Sequence, residues 1–179
     1  MSVFVNAMAI SFEALADFSA TESLPEHFSL YDAGMDGEGF LVRFHSEPSG
    51  TWIGSFQCGL SGLSTVRMHP NGKHALVIAG GNGYVIEVET KQAIERFGGM
   101  ILEVLPIPDG SDLIFAEQVR LERFGPNGVV WRSERLSWDG FRAMRIEEDV
   151  VFGESYTPLG DSWTSFTVKL SDGSVDCES

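Results

Sequence analysis

The chain has 179 residues, 43% hydrophobic and 21% charged, enough to build one domain with its own core and too apolar for a disordered chain. Its 26 acids against 12 Lys and Arg give a net charge of −14 and a pI near 4.5, which argues against a nucleic-acid partner because phosphates would be repelled. The two cysteines, Cys58 and Cys177, make no disulfide framework, and no Lys or Arg precedes Arg43 as the start of a secretory leader would require. No stretch approaches the roughly 18 apolar residues of a membrane span. The expectation is a cytoplasmic protein with reduced thiols and no membrane partner.

The first 39 residues read as an acidic segment. Residues 1–42 hold seven acids (Glu13, Asp17, Glu22, Glu26, Asp32, Asp36 and Glu38) and no Lys or Arg. Ser11 stands where a helix cap would, and Phe12, Leu15 and Phe18 follow at helical spacing, so one short helix is expected over Ser11–Phe18. Residues 19–39 read as an acidic loop. Asp32, Asp36 and Glu38 lie among glycines in YDAGMDGEGF, but the alternate carboxylates and distal Glu of a calcium loop are missing. They are expected to be solvated turn acids, available to a partner.

From Phe40 to Val175 the pattern changes to repeated hairpins. Asx-Gly dipeptides occur at Asp36, Asn71, Asn82, Asp109, Asn127, Asp139 and Asp172, each able to supply the positive φ angles of a tight turn. Between them, Phe40, Val42 and Phe44, then Tyr84, Ile86 and Val88, then Phe166, Val168 and Leu170 alternate with more polar neighbours. That period of two predicts half-buried antiparallel strands. Val66–Ala79 (VRMHPNGKHALVIA) and Val104–Glu117 (VLPIPDGSDLIFAE) share one plan of strand, Pro-Asx-Gly turn and apolar strand. Echoes starting near residues 40, 84, 119 and 166 suggest blades of about 40 residues and four strands, as in β-propellers. The predicted fold is all-β, a single domain of hairpins over 40–175 with a tail at 176–179, stacked as blades into a curved or partly closed array. At most four blades fit in this length.

Several residues invite a chemical reading. His69 and His74 flank a Pro-Asn-Gly turn, but no further ligands accompany them, so solvated histidines are expected and no metal or cofactor is assigned. Gly80-Gly81-Asn82-Gly83 precedes a strand, which makes it a turn rather than a phosphate loop. Trp138-Asp139 enters a turn instead of ending a blade strand. Glu147, Glu148 and Asp149 sit together at a turn, a solvated face without the opposed geometry of a general acid and base. Six of the twelve basic residues fall between Arg120 and Arg145. These arginines either pair with acids of the fold or, through Arg132, Arg135 and Arg142, bind an anion by the bidentate fork. Trp52, Trp131, Trp138 and Trp163 read as core residues, or as contact anchors if exposed.

The stretch from Arg120 to Ser174, with GPNGVVWRSERLSWDG, GESY, DSW and FTVKLSDG, resembles a family of small bacterial cytosolic proteins with propeller-blade-like repeats. The resemblance implies a bacterial source and carries no activity. The functional expectation is a non-enzymatic acidic module that binds another protein with a basic surface, for example an immunity protein neutralising a toxin. Its contact acids would be Asp32, Asp36, Glu38, Glu147, Glu148 and Asp149. The alternatives are a subunit or fragment of a larger β assembly, and an anionic-ligand binder or enzyme using the Arg120–Arg145 segment.

Overall fold

The computed structural model describes residues 10–17, 23–30 and 39–177. Among them are sixteen strands and no helix, so no helix is long and apolar enough to cross a membrane. The strands form four sheets of four. In the first, β1 (Ser11–Leu15), β2 (Glu26–Phe28), β3 (Phe40–Ser46) and β4 (Gly50–Phe56) lie in the order β1-β3-β4-β2. The second is β5 (Thr65–Met68), β6 (Ala75–Ala79), β7 (Asn82–Glu87) and β8 (Gln92–Gly98); the third is β9 (Ile101–Pro106), β10 (Leu113–Glu117), β11 (Leu121–Gly125) and β12 (Gly128–Arg132). The fourth is β13 (Phe141–Glu147), β14 (Val150–Thr157), β15 (Ser162–Lys169) and β16 (Val175–Cys177). Sheets 2 to 4 are antiparallel meanders in chain order. Their first strands open at Thr65, Ile101 and Phe141, intervals of 36 and 40 residues. The blade length read from the repeats is therefore that of the sheets. None of the four closes on itself.

The helix expected over Ser11–Phe18 is a strand over Ser11–Leu15; Phe18 itself lies outside the described residues. The cause is tertiary. Ser11 to Leu15 pair antiparallel with His45 to Leu41, Phe12 turns into the core, and Glu13 forms an ion pair with Arg43. A helix of eight residues is marginal on its own, with many end groups unsatisfied, whereas β3 offers Ser11–Leu15 a partner at every position. The acidic loop read over 19–39 contains a second strand, β2, which pairs parallel with β4. Asp176 and Cys177, expected in a tail, belong to β16.

The sheets stack face to face in chain order. Val42, Phe44, Trp52 and Phe56 of sheet 1 meet Ala75, Val77, Tyr84 and Ile86 of sheet 2. From the opposite face of sheet 2, Leu76, Ile78 and Val85 meet Val104, Leu113, Phe115 and Phe124 of sheet 3. Sheet 3 then places Ile114, Ala116 and Leu121 against Val151, Phe166 and Val168 of sheet 4. Each fully buried Leu, Ile, Val or Phe side chain contributes about 1.5–3 kcal/mol of hydrophobic stabilisation. Here a sequence expectation fails instructively. Alternation around Tyr84 predicts one wet face, yet Tyr84, Val85 and Ile86 are all buried, because sheet 2 has a neighbour on each side. The run ALVIA of β6 is apolar at every position for the same reason.

Two tryptophans fasten neighbouring sheets. Trp52 donates its indole N–H to the carbonyl of Val88, 3.1 Å away, just past the third strand of sheet 2. Trp131 does the same to Leu170, 2.7 Å away, just past the third strand of sheet 4. The turn between β6 and β7 is made by Gly80 and Gly81, with φ of 52° and 87°, while Asn82 and Gly83 already belong to β7. That Asx-Gly pair is therefore strand and not turn, contrary to expectation.

Candidate functional site

Among the described residues, sheets 2 and 3 are covered on both sides and sheet 4 on one. Its strands alternate. Val151, Gly153 and Ser155 of β14 and Phe166 and Val168 of β15 point to sheet 3, so Phe152, Glu154 and Tyr156, with Trp163, Ser165, Thr167 and Lys169, face the other way. From β13, Arg142 and Arg145 join this outer face, and from β16, Asp176. Cross-strand register sets the chemistry. Arg145 is the partner of Phe152 and stacks its guanidinium 4.7 Å from the ring centroid; Arg142 pairs with Glu154 at 2.5 Å and covers Trp163 at 4.4 Å. Tyr156 meets Trp163 edge to face at 5.6 Å and donates its hydroxyl to Asp161. A β-bulge between Arg142 and Arg145, with Ala143 at φ 52°, directs both arginines to the same side. A shallow cavity of about 340 Å³ lies among Arg145, Phe152, Glu154, Thr167 and Asp176.

Glu148 and Asp149 form the two-residue turn joining β13 to β14, Glu147 is the last residue of β13, and all three are exposed; Glu147 receives the Arg145 Nε–H at 2.6 Å. Asp32, Asp36 and Glu38 lie outside the described residues. The three arginines offered as an anion site are each engaged elsewhere. Arg132 binds Glu122 at 2.5 Å, Arg135 stacks on Trp138 at 4.3 Å and donates to the Ser137 carbonyl, and Arg142 holds Glu154. They share neither an acid nor a ring. Arg123 is likewise tied to Asp112 at 2.6 Å. Four of the six arginines in this segment, Arg123, Arg132, Arg142 and Arg145, hold acids of the fold, and three of its guanidinium groups lie over aromatic rings, which the composition could not show.

The four tryptophans divide. Trp52 and Trp131 serve the core and the sheet-to-sheet ties, Trp163 is half-buried on the outer face of sheet 4, and Trp138 is 56% exposed in the loop before β13. Its neighbour Asp139 accepts from the Gln118 amide, so the Trp-Asp pair stands in a loop, as its position predicted.

His69 departs from expectation. It is buried, not solvated, with its ring edge-on to Phe124 at 5.2 Å and its Nδ1 accepting the Asn71 backbone N–H at 3.1 Å. Burial holds its pKa below the usual 6.5, since the charged ring would lose its water. The ring of His74 is 6.0 Å away and bonds the Asn71 side chain, so both histidines brace the turn. No group of three or more His, Cys, Asp or Glu is placed to hold a metal among the described residues. A shallow groove between β2 and β8 gathers His27, Lys91 and Arg96 beside Glu26.

No family model and no curated protein matches the chain. Among solved structures it is similar to the Kuenenia stuttgartiensis hydrazine synthase, with 14% identity and a TM-score of 0.49, over 90% of this chain and 53% of that one. It is also similar to a eukaryotic initiation factor, with 10% identity and a TM-score of 0.44, over 78% of this chain and 40% of that one. The chain spans about half the length of the first and less of the second. Likenesses of this strength assign neither activity nor partner.

Proposed function

We propose that this protein is a non-enzymatic, cytoplasmic binding module whose excess carboxylates recognise a partner protein with a basic surface, needing no cofactor. The observation that carries the reading is how the charge is distributed. Arg43, Arg123, Arg132, Arg142 and Arg145 are bound to acids of the same chain, while Glu147, Glu148 and Asp149 project together at a tight turn where, among the described residues, only Glu147 has a cationic partner. A net −14 body of this kind sets up a field that accelerates encounter with a cationic protein and orients it, and stacked sheets give that field a rigid frame. Neutralisation of a basic toxin by an immunity protein is the concrete form, and the bacterial resemblance of the Arg120–Ser174 stretch agrees with it.

The test is calorimetric titration against the basic products of adjacent genes, at low and at high salt. Tight binding that weakens steeply with salt, and weakens again in a Glu147→Lys, Glu148→Lys, Asp149→Lys triple variant, is the expected result. Binding insensitive to both salt and the triple variant, or none to any basic neighbour, overturns the proposal.

A further inference from the structure

The outer face of sheet 4 carries cations and carboxylates side by side. It carries Arg142, Arg145 and Lys169 and, in the same layer, Glu147, Glu154 and Asp176, with Asp161 at the turn beside Tyr156, so its charges nearly balance on a chain of net −14. Two copies of so acidic a protein repel each other over most of their surface, but not here. Phe152, Tyr156 and Trp163 add apolar area that the chain leaves partly open to water.

The charges are also ordered across the strands. In one cross-strand row Arg145 pairs with Phe152, Phe152 with Thr167, and Thr167 with Asp176, so the row has a cation at the β13 edge and a carboxylate at the β16 edge. A two-fold axis parallel to the strands lays this row on a reversed copy of itself. Arg145 then faces Asp176 of the partner subunit, and Phe152 crosses Thr167 of the partner subunit above the cavity that both residues line. An isologous contact makes each such pair twice. We propose that this face is the docking site of a second copy of the chain, held by those two reciprocal Arg145–Asp176 pairs around a Phe152 and Thr167 centre. The sheet is about 15 Å across and about 25 Å along its long strands, the footprint of a small interface, so the dimer is a weak one that forms at micromolar concentration.

Sedimentation of the pure protein over a concentration series tests this. The expected result is a reversible monomer–dimer equilibrium in which Arg145→Glu or Asp176→Arg alone raises the dissociation constant about tenfold or more, and the two together restore it. Circular dichroism checks that each variant is folded. If a charge reversal does not fold, Thr167→Arg, which places bulk opposite Phe152 of the partner subunit, must abolish the dimer in its place. A protein that stays monomeric at its solubility limit overturns the proposal. So does a dimer that all these substitutions leave unchanged, or a double reversal no better than the single ones. Because the assay contains this protein alone, its outcome is separate from that of the acidic-partner reading.

Discussion

Gly83 lies beneath the ring of Phe97, its partner across β7 and β8, so closely that a Cβ on Gly83 would stand 2.5 Å from the ring. With nothing in its way the ring extends over the glycine and stacks on Phe115 at 5.6 Å and Phe124 at 5.2 Å, joining sheet 2 to sheet 3. The same device recurs in sheet 4, where Gly153 lies opposite Phe166 and a Cβ would meet that ring at 2.8 Å. An aromatic ring covering a cross-strand glycine pins strand register as well as filling space.

Gly83→Ala is therefore expected to destabilise the fold by about 1–3 kcal/mol, the usual cost of forcing extra volume into a packed site. Gly62→Ala is the control, since a Cβ there meets open space and its φ is not in the left-handed region; it should stay within about 0.5 kcal/mol of the parent. Urea denaturation midpoints compare the two. Equal effects would mean that the ring of Phe97 moves aside at no cost.

What the sequence made legible here was period and turn spacing, which are local. The hairpins Val66–Ala79 and Val104–Glu117 are β5–β6 and β9–β10, and their Pro-Asx-Gly turns could be read because such turns need particular residues. What it hid depends on partners distant in the chain. Ser11–Leu15 has helical spacing but is claimed by β3, β2 is too short to show a period, and His69 looks solvated until Phe124 of another sheet is placed beside it. At the candidate site, the acidic turn was visible as three adjacent acids. The cation–aromatic layer was not, because Arg145 meets Phe152 and Arg142 meets Trp163 only through the register of three strands and a bulge.

Glu122 provides a pH-dependent test. Its side chain is only 4% exposed, and burial pushes its pKa above the usual 4.5, a rise that Arg132 offsets in part. A carboxyl that holds its proton more tightly when folded contributes most to stability below pH 4.5, and that contribution is lost as pH rises through the folded-state value. Glu122→Gln keeps the shape and removes the titration. The stability of the variant relative to the parent should therefore increase from acid to neutral pH, as read from melting temperatures along a pH series. A difference that stays constant or declines along the series would show that the pairing with Arg132 outweighs desolvation.

One carbonyl ties sheet 3 to sheet 4 through two donors. The Leu170 carbonyl accepts from both the Trp131 indole at 2.7 Å and Arg123 Nη1 at 2.9 Å, while Arg123 Nε holds the buried Asp112. Trp131→Phe removes one donor and leaves the carbonyl satisfied by the other, so about 1 kcal/mol should be lost. Arg123→Met strands a carboxylate in the interior, and the loss should reach about 3–5 kcal/mol. Adding Asp112→Asn to Arg123→Met should recover part of it. Chemical denaturation of the four proteins gives the comparison, and an Arg123→Met variant no weaker than Trp131→Phe would contradict the account.

Glu148 links stability to the proposed recognition. It sits in the left-handed region, φ 51°, in the turn closed by the Glu147–Val150 pair, where a side chain with a Cβ is strained by about 1–2 kcal/mol. Glycine accepts that conformation without steric cost, though it loses more freedom on folding. Glu148→Gly is expected to stabilise the fold by about 0.5–1 kcal/mol while weakening salt-dependent binding to a basic partner. Glu148→Asn should gain less in stability and lose as much in binding, because asparagine tolerates the turn but carries no charge. If the acid at this strained position is retained for recognition, the two effects must oppose each other in both variants. A variant more stable and equally well bound would show that Glu148 takes no part in the contact.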